Sequence, residues 1–175
     1  MGDQPRTEII ENFLTHLSDE RQLSRHTVDA YKRDLFEFDK YLEDLSIKNW
    51  RNVASHHLRQ FISTGFREGK SGRTLQRRLS ACRSFFNYLM REGIATINPA
   101  VEFSAPKSKV RLPTTIDTDQ ISYLLDINNT DWHSLRDRAM LELFYSSGLR
   151  LSELVGSNIQ DISVSYTHLT LPTKA

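Results

Sequence analysis

Apolar side chains recur at spacings of three and four along the first hundred residues, which is the period of amphipathic helices. The pattern predicts four helices: one with Thr7 as a possible N-cap, two capped by Ser24 and Ser55, and one from about Ser71 to Arg91. Four short helices in so few residues favour a compact bundle. The predicted core positions are Ile10, Phe13, Leu14, Leu17, Val28, Tyr31, Leu35, Phe38, Leu42, Leu58, Phe61, Ile62, Phe66, Leu75, Leu79, Cys82, Phe86 and Leu89, with Phe85 and Met90 at the edges of the last stripe.

The last third of the chain shows a second helical pattern. A helix is predicted to begin at Asp117 or Thr118, another is stopped by Gly148, and a short one begins around Arg150. The segment between the two helical regions contains prolines and basic residues, as expected of a stiff linker. The sequence therefore predicts an all-α chain with three parts: a helical domain at 1–97, a linker at 98–113 and a second helical segment at 114–162.

The distribution of charge is more informative than its total. The chain has 175 residues and a net charge of +1, which would argue against a nucleic-acid partner. Between Arg67 and Arg91, however, seven residues are basic and one is acidic. On a helical wheel the polar face of the fourth helix carries Arg73, Arg77, Ser80, Ser84 and Arg91, side chains suited to phosphate oxygens and guanine edges. The alternative is an ordinary solvated basic face.

Several functional classes receive no support. No apolar run approaches the ~18 residues of a membrane span, and the polar N-terminus does not resemble a signal peptide, so a cytoplasmic location is expected. The single cysteine, Cys82, excludes an internal disulfide and is predicted to be a small buried apolar side chain. None of the six histidines forms a His-x-x-x-His pair, and no nucleotide-binding fingerprint occurs, so neither a metal nor a cofactor is predicted.

Arg150 is the leading candidate for a functional residue. It falls at a predicted helix start, where the helix dipole favours anions and disfavours a cation. A bound phosphodiester would remove this mismatch, because a guanidinium is a planar, permanently charged set of donors. The structural alternative is a local ion pair between Arg150 and Glu153, one turn further on.

Two stretches carry a family resemblance. Residues 148–154, Gly-Leu-Arg-Leu-Ser-Glu-Leu, preceded by Arg-Asp-Arg-Ala-Met-Leu at 136–141, resemble the first catalytic box of the tyrosine recombinases, the phage integrase superfamily. Residues 23–35 and 78–86 resemble the four-helix, SAM-like core-binding domain of Xer-type members. The resemblance implies that Arg150 contacts the scissile phosphate. It also implies DNA contacts from the second and fourth helices, through Arg25, Thr27, Arg33, Arg73, Thr74, Arg77 and Arg78.

The resemblance further implies an activity and partners. The family performs site-specific DNA recombination, here of the chromosome-dimer-resolution type: a tyrosine cleaves each strand, leaving a 3′-phosphotyrosyl link, and the strands are rejoined without ATP or metal. The implied partners are a double-stranded recombination site and a related recombinase, in a tetramer on two DNA sites. Three alternatives remain: an integron or phage integrase relative, a DNA-binding module without chemistry, and a helical protein-interaction domain.

The family pattern stops soon after the first box. The hairpin lysine, the His-x-x-Arg box, the later His or Trp and the nucleophilic tyrosine do not follow Arg150 in this sequence. Residues 114–162 are therefore predicted to be the first helices of a truncated α+β catalytic domain, with exposed apolar faces, and the chain alone is predicted to be inactive. The Ser/Thr-rich residues 163–175 are predicted to be a non-native tail, so Tyr166 is not assigned as the nucleophile and Lys174 is not assigned as the hairpin lysine.

Overall fold

The computed structural model describes residues 5–101, 104, 114–126, 131–158 and 160. In these residues the regular structure is entirely helical, with seven α-helices and one short 3-10 turn, which confirms the all-α prediction. The chain divides into two compact units, Met1–Arg111 and Leu112–Ala175, which are described separately below. None of the described helices is both long and apolar enough to cross a lipid bilayer.

Unit 1 is the predicted four-helix bundle. Its helices are α1 (Arg6–Asp19), α2 (Arg25–Asp44), α3 (Ser55–Arg67) and α4 (Gly72–Arg91), with a 3-10 turn at Trp50–Asn52 between α2 and α3. The cap predicted for α2 is confirmed, because Ser24 Oγ accepts a hydrogen bond from the Thr27 backbone. Ser71, predicted only as the approximate start of the fourth helix, also caps its helix, and its Oγ accepts a hydrogen bond from the Thr74 backbone. A serine cap satisfies a backbone N–H that the first turn of a helix leaves unpaired.

The bundle core follows the predicted stripes with few exceptions. Aromatic rings fill its centre, where Phe85 packs edge-on against Phe13 and Trp50 at centroid distances of 5.3 and 4.8 Å. Phe85 was expected at the edge of its stripe and is instead fully buried. The prediction for Phe66 was wrong, since its side chain is 60% exposed near the end of α3. Cys82 is buried as predicted, and burial raises the pKa of its thiol.

Two predicted caps are wrong. Thr7 lies inside α1, because the helix begins at Arg6 with Pro5 as its N-cap. Ser55 is the first residue of α3, and the N-cap is Ala54, which has no side-chain acceptor of its own. The His57 ring supplies the acceptor instead: its Nδ1 accepts a hydrogen bond from the Ala54 backbone N–H at 3.0 Å.

The His57 contact predicts that the stability of unit 1 depends on pH. Burial, followed by the neighbouring His56, lowers the pKa of His57 below its ordinary value. Protonation would also remove the lone pair that accepts the Ala54 hydrogen bond. The unfolded chain therefore binds the proton more readily, and stability should be full above about pH 6.5 and fall as the pH drops below it. The free energy of unfolding should fall by at most the contribution of a helix cap, about 1 kcal/mol.

Urea unfolding of the wild type and of His57→Gln, measured between pH 5 and 8, tests this expectation. His57→Gln should lose the part of the pH dependence that His57 contributes. His26→Gln is the matched control, because His26 is an exposed histidine of the same unit and does not accept the Ala54 hydrogen bond. A pH profile that is identical in the wild type and His57→Gln would contradict the assignment.

The packed part of unit 1 extends past the predicted boundary at residue 97. Pro99 and Ala100 are buried, and Ala100 belongs to the core. Arg83 donates two hydrogen bonds to the Ala100 carbonyl, at 3.2 and 3.1 Å, and Asn98 donates to the Arg83 carbonyl at 3.0 Å. Within the predicted linker, residues 105–113 lie outside the described residues.

Unit 2 contains α5 (Thr118–Leu125), α6 (Trp132–Ser147) and α7 (Leu151–Gly156). The predicted start of α5 is confirmed by a capping box, in which Asp117 accepts from the Gln120 backbone at 2.9 Å and the Gln120 side chain accepts from the Asp117 backbone at 3.3 Å. Eight large apolar side chains of this unit are exposed, as expected; among the described residues the buried ones are Leu149 and Leu154.

Candidate nucleic-acid interface

A network of ion pairs joins α2 to α4. Asp34 of α2 contacts Arg77 and Arg78 of α4, and Glu37, one turn further along α2, contacts Arg78 and Lys70. Higher-numbered residues of α2 thus pair with lower-numbered residues around the start of α4. The two helices implied to face DNA are therefore antiparallel neighbours, and their capped N-termini lie at opposite ends of the pair.

Arg78 is buried in the bundle, so the structure gives no support to its implied DNA contact. Its residue exposure is 2%, and its guanidinium pairs with Glu37, lies 3.5 Å from Asp34 Oδ1 and sits 5.1 Å above the Phe61 ring. A buried, paired guanidinium of this kind holds helices together. The sequence contained a signal for this position, because Arg78 follows Leu75 by three residues and precedes Cys82 by four, within the apolar stripe.

Arg77 lies at the edge between the core and the surface. Its side chain is 36% exposed, and its Nη1 atom donates to the Ala30 carbonyl at 3.1 Å and lies 3.0 Å from Asp34 Oδ2. Asp34 itself is 2% exposed. Burial raises the pKa of Asp34, whereas the guanidinium groups of Arg77 and Arg78 act in the opposite direction. Sequence reasoning missed Asp34, although it occupies a stripe position between Tyr31 and Phe38.

The remaining candidate contacts of unit 1 are accessible. Arg33 and Arg73 are exposed on α2 and α4, and Arg25 has a side-chain exposure of 94%, with Asp29 at 4.0 Å. Thr27 and Thr74 are half-buried and occupy equivalent places, because the hydroxyl of each lies 2.9 Å from that of its capping serine. The structure thus exposes three arginines on the two neighbouring helices, where a polyanion can reach them.

The Arg91 guanidinium is already engaged by the protein. It lies beside the His16 ring of α1, at 3.3 and 3.4 Å, pairs with Glu92 at 3.1 Å and stacks over Tyr88. The polar strip of α4 therefore ends before Arg91. Ser80 is exposed and Ser84 half-buried, so both remain on the strip with Arg73 and Arg77.

In unit 2, the turn between α6 and α7 presents Arg150 to solvent. Gly148 ends α6 in the left-handed region, with φ of +63°, where a residue with a Cβ would be strained. Arg150 is then the N-cap of α7, as predicted, and its side chain is 83% exposed. The guanidinium is accessible to a phosphate, which was the requirement for its predicted role.

Glu153 engages Arg150 through both backbone and side chain. Its Oε2 accepts from the Arg150 backbone N–H at 2.7 Å, and its Oε1 accepts from Arg150 Nη1 at 2.9 Å. These two hydrogen bonds lower the pKa of Glu153. The local ion pair considered as the structural alternative is therefore present, but it leaves most of the guanidinium exposed. Both interpretations of Arg150 are compatible with this geometry.

The described residues contain no cluster of three or more His, Cys, Asp or Glu side chains able to hold a metal ion. Two His-x-x-Arg strings do occur earlier in the chain, at His56–Arg59 in α3 and at His133–Arg136 in α6, and sequence reasoning overlooked both. Both precede Arg150, which reverses the order that the family resemblance implies. Residues 163–175, with Tyr166 and Lys174, lie outside the described residues.

Two family models match the chain. The phage integrase N-terminal SAM-like domain matches residues 10–93, and the phage integrase family matches residues 114–175. The chain belongs to the phage integrase family, whose members are the tyrosine recombinases. The second match includes residues 163–175, for which the sequence predicts a foreign origin; that origin stays a prediction.

Among curated proteins the chain is similar to tyrosine recombinases XerC. It is 45% identical to that of Alcanivorax borkumensis over 169 residues, which are 95% of this chain and 54% of the relative. It is also 45% identical to that of Stutzerimonas stutzeri, over 89% of this chain and 52% of the relative. The chain thus spans about half the length of the curated relatives it matches.

Solved structures support the fold. A lambda integrase (75–356) dimer bound to a COC′ core site matches with a TM-score of 0.72 at 19% identity, over 97% of this chain and 59% of that one. The Tn1549 transposon integrase, in complex with a circular intermediate DNA, matches with a TM-score of 0.67 at 13% identity, over 89% of this chain and 49% of that one.

Proposed function

We propose that this chain is the DNA-binding and phosphate-activating part of a site-specific tyrosine recombinase of the chromosome-dimer-resolution type, acting on double-stranded DNA. The observation that carries the proposal is Arg150, an exposed guanidinium within the Gly-Leu-Arg-Leu-Ser-Glu-Leu box, at the N-cap of α7. The 45% identity to recombinases named XerC supports the type of reaction. In the cell this reaction would take place in the cytoplasm and would serve chromosome partition during cell division.

In this proposal unit 1 supplies sequence recognition. Arg25, Arg33, Arg73 and the free edge of Arg77 would meet the phosphate backbone and base edges of the duplex, and Thr27 and Thr74 would add hydroxyl contacts. The solved relatives that hold DNA support a duplex as the partner. By family resemblance, a XerD-like recombinase would complete a tetramer on two DNA sites.

In the same proposal unit 2 supplies electrostatic catalysis. When a nucleophile attacks the scissile phosphate, negative charge grows on the non-bridging oxygens. Arg150 donors aimed at those oxygens would stabilise this charge, and Glu153 would hold the arginine backbone and one guanidinium nitrogen in place. No ATP is required, because the phosphotyrosyl bond conserves the energy of the phosphodiester.

The second candidate function is DNA binding without chemistry by the chain as given. It is favoured by the sequence after Arg150, which lacks the family's His-x-x-Arg box. A suicide duplex with a nick beside the cleavage point separates the two candidates, because a cleaving enzyme becomes trapped as a covalent adduct. Binding without an adduct would support the module.

DNA binding itself is tested by mobility shift over a series of salt concentrations. The double variant Arg73→Ala Arg77→Ala should weaken binding and reduce the slope of log K against log salt by up to about 2, since each lost phosphate contact contributes about 1. The double variant Arg136→Ala Arg138→Ala is the charge-matched control, because these arginines are already paired with Asp137 at 2.7 Å and Glu142 at 2.9 Å, and it should change neither. Unchanged affinity and slope in the double variant would remove α4 from the interface.

A further inference from the structure

Arg77 is held from one side. An arginine side chain has five N–H donors, on Nε, Nη1 and Nη2. Nη1 is committed to the protein, because it donates to the Ala30 carbonyl and pairs with Asp34. Within the part of the chain that the structure describes, Nε and Nη2 have no protein partner. These two atoms form an edge with two parallel donors, the geometry that grips two acceptors at once.

Asp34 is fixed more firmly than a surface carboxylate. It is buried between α2 and α4, and its second oxygen, Oδ1, lies 3.5 Å from Arg78 Nε. Arg78 in turn pairs with Glu37 and is packed over Phe61. The carboxylate that forms an ion pair with Arg77 Nη1 therefore cannot follow the arginine into solvent. This distinguishes the Asp34–Arg77 pair from exposed pairs such as Arg25 and Asp29, which are free to separate.

We propose that Asp34 is a positioning residue for DNA recognition: it anchors Arg77 Nη1 so that the Nε and Nη2 edge is presented outward to a pair of acceptors on DNA. This inference rests on the proposed DNA-binding function and goes beyond it, because it assigns a recognition role to a buried acidic residue that cannot touch DNA. The acceptor pair is either O6 and N7 of a guanine or two oxygens of one phosphate.

Anchoring matters because a free arginine samples many rotamers and loses that freedom on binding. Immobilising such a side chain costs about 0.5–1.5 kcal/mol, which corresponds to roughly a 2- to 13-fold change in affinity. Asp34→Asn keeps the size of the side chain but removes the charge that holds Arg77. We expect it to weaken the contact made by Arg77 about 3- to 10-fold while leaving the other contacts of the strip intact.

The experiment is a double-mutant cycle with the full chain and two DNA probes. One probe is a 30-base-pair duplex selected from a randomised pool by binding to the wild-type chain, and the other is a random-sequence duplex of the same length. Affinities are measured for the wild type, Asp34→Asn, Arg77→Ala and the double variant. Asp34→Asn should weaken binding in the wild-type background and have no further effect once Arg77 is alanine.

Two further variants separate positioning from structure. Arg77→Lys keeps the charge but loses the two-donor edge, so it should weaken binding nearly as much as Arg77→Ala. Asp39→Asn is the matched control: Asp39 is also buried on α2, but it pairs with Arg6 of α1 at 2.9 Å and not with α4. It should reduce thermal stability without changing affinity for either probe.

The outcomes distinguish this inference from the proposed function. If the wild type binds neither probe, the proposed function fails. If the wild type binds but Asp34→Asn weakens binding equally with and without Arg77, or Asp39→Asn has the same effect, Asp34 acts only on the fold and the inference is overturned. If Asp34→Asn loses affinity only for the selected probe, the acceptors are those of a guanine. If it loses affinity equally for both probes, the acceptors are those of a phosphate.

Discussion

Arg78→Ala is expected to lower the free energy of unfolding of unit 1 by about 3–5 kcal/mol, as measured by urea denaturation. The substitution removes the buried guanidinium that pairs with Asp34 and Glu37. Asp34 would keep only its pair with Arg77 at the edge of the interface. The buried carboxylate would therefore lose one of the two cations that offset the cost of its burial. Loss of the contact with Phe61 would also leave a cavity between α3 and α4.

The surrounding residues show that this site is built for an arginine. Gly65 of α3 faces it: a Cβ added there would lie 3.0 Å from Leu75 Cδ2 and 3.3 Å from Arg78 Nη1. The absence of a side chain at Gly65 therefore lets α3 approach the guanidinium closely. A larger residue at 65 would have to displace either Leu75 or Arg78.

Arg73→Ala is the matched control for Arg78→Ala. Both substitutions remove an arginine from α4, but Arg73 is exposed, so its replacement should change stability by no more than about 0.5 kcal/mol. In DNA binding the order should reverse: Arg73→Ala should weaken binding, whereas Arg78→Ala should act only through the folded fraction. A stable Arg78→Ala variant with impaired DNA affinity would restore the contact that the family resemblance implied.

The buried ion pair was within reach of sequence reasoning. Asp34 lies three residues after Tyr31 and four before Phe38, and Arg78 is placed in the same way between Leu75 and Cys82. Each charge therefore stands inside the apolar stripe of its helix. Charges are buried almost only when paired, so two opposite charges at stripe positions of neighbouring helices predict an ion pair. The family resemblance implied a DNA contact for Arg78, and its position inside the apolar stripe was therefore not used to predict an ion pair.

Local signals explain which other predictions succeeded. Ser24 was predicted as a cap, and Ser71, Asp117 and Gly148 as helix boundaries, from residue preferences that act within one helical turn, and the structure confirms each. Thr7 failed because the first turn of α1 depends on distant partners: Arg6 contacts the Ile47 carbonyl and Asp39. The local spacing of apolar and polar residues cannot predict contacts between residues more than thirty positions apart.

Under the proposed function, Arg150→Ala is expected to slow strand cleavage by a factor of about 10²–10³ in a recombinase that contains this sequence. The reason is that Arg150 would act where charge develops on the scissile phosphate, an interaction stronger in the transition state than in the ground state. Affinity for the duplex should fall less than tenfold, since one charge among many contacts is lost. The measurement is the rate of covalent adduct formation on a nicked suicide duplex.

Arg150→Lys sharpens this test, because lysine keeps the charge but offers a single ammonium in place of a planar set of donors. If geometry is essential, the lysine variant should remain slow, by at least about tenfold. Arg136→Ala is the control, since Arg136 is also an exposed arginine of unit 2 but is paired with Asp137 at 2.7 Å. Wild-type cleavage by Arg150→Ala would reduce Arg150 to the partner of Glu153 at a helix start, and the catalytic assignment would have to move to another residue.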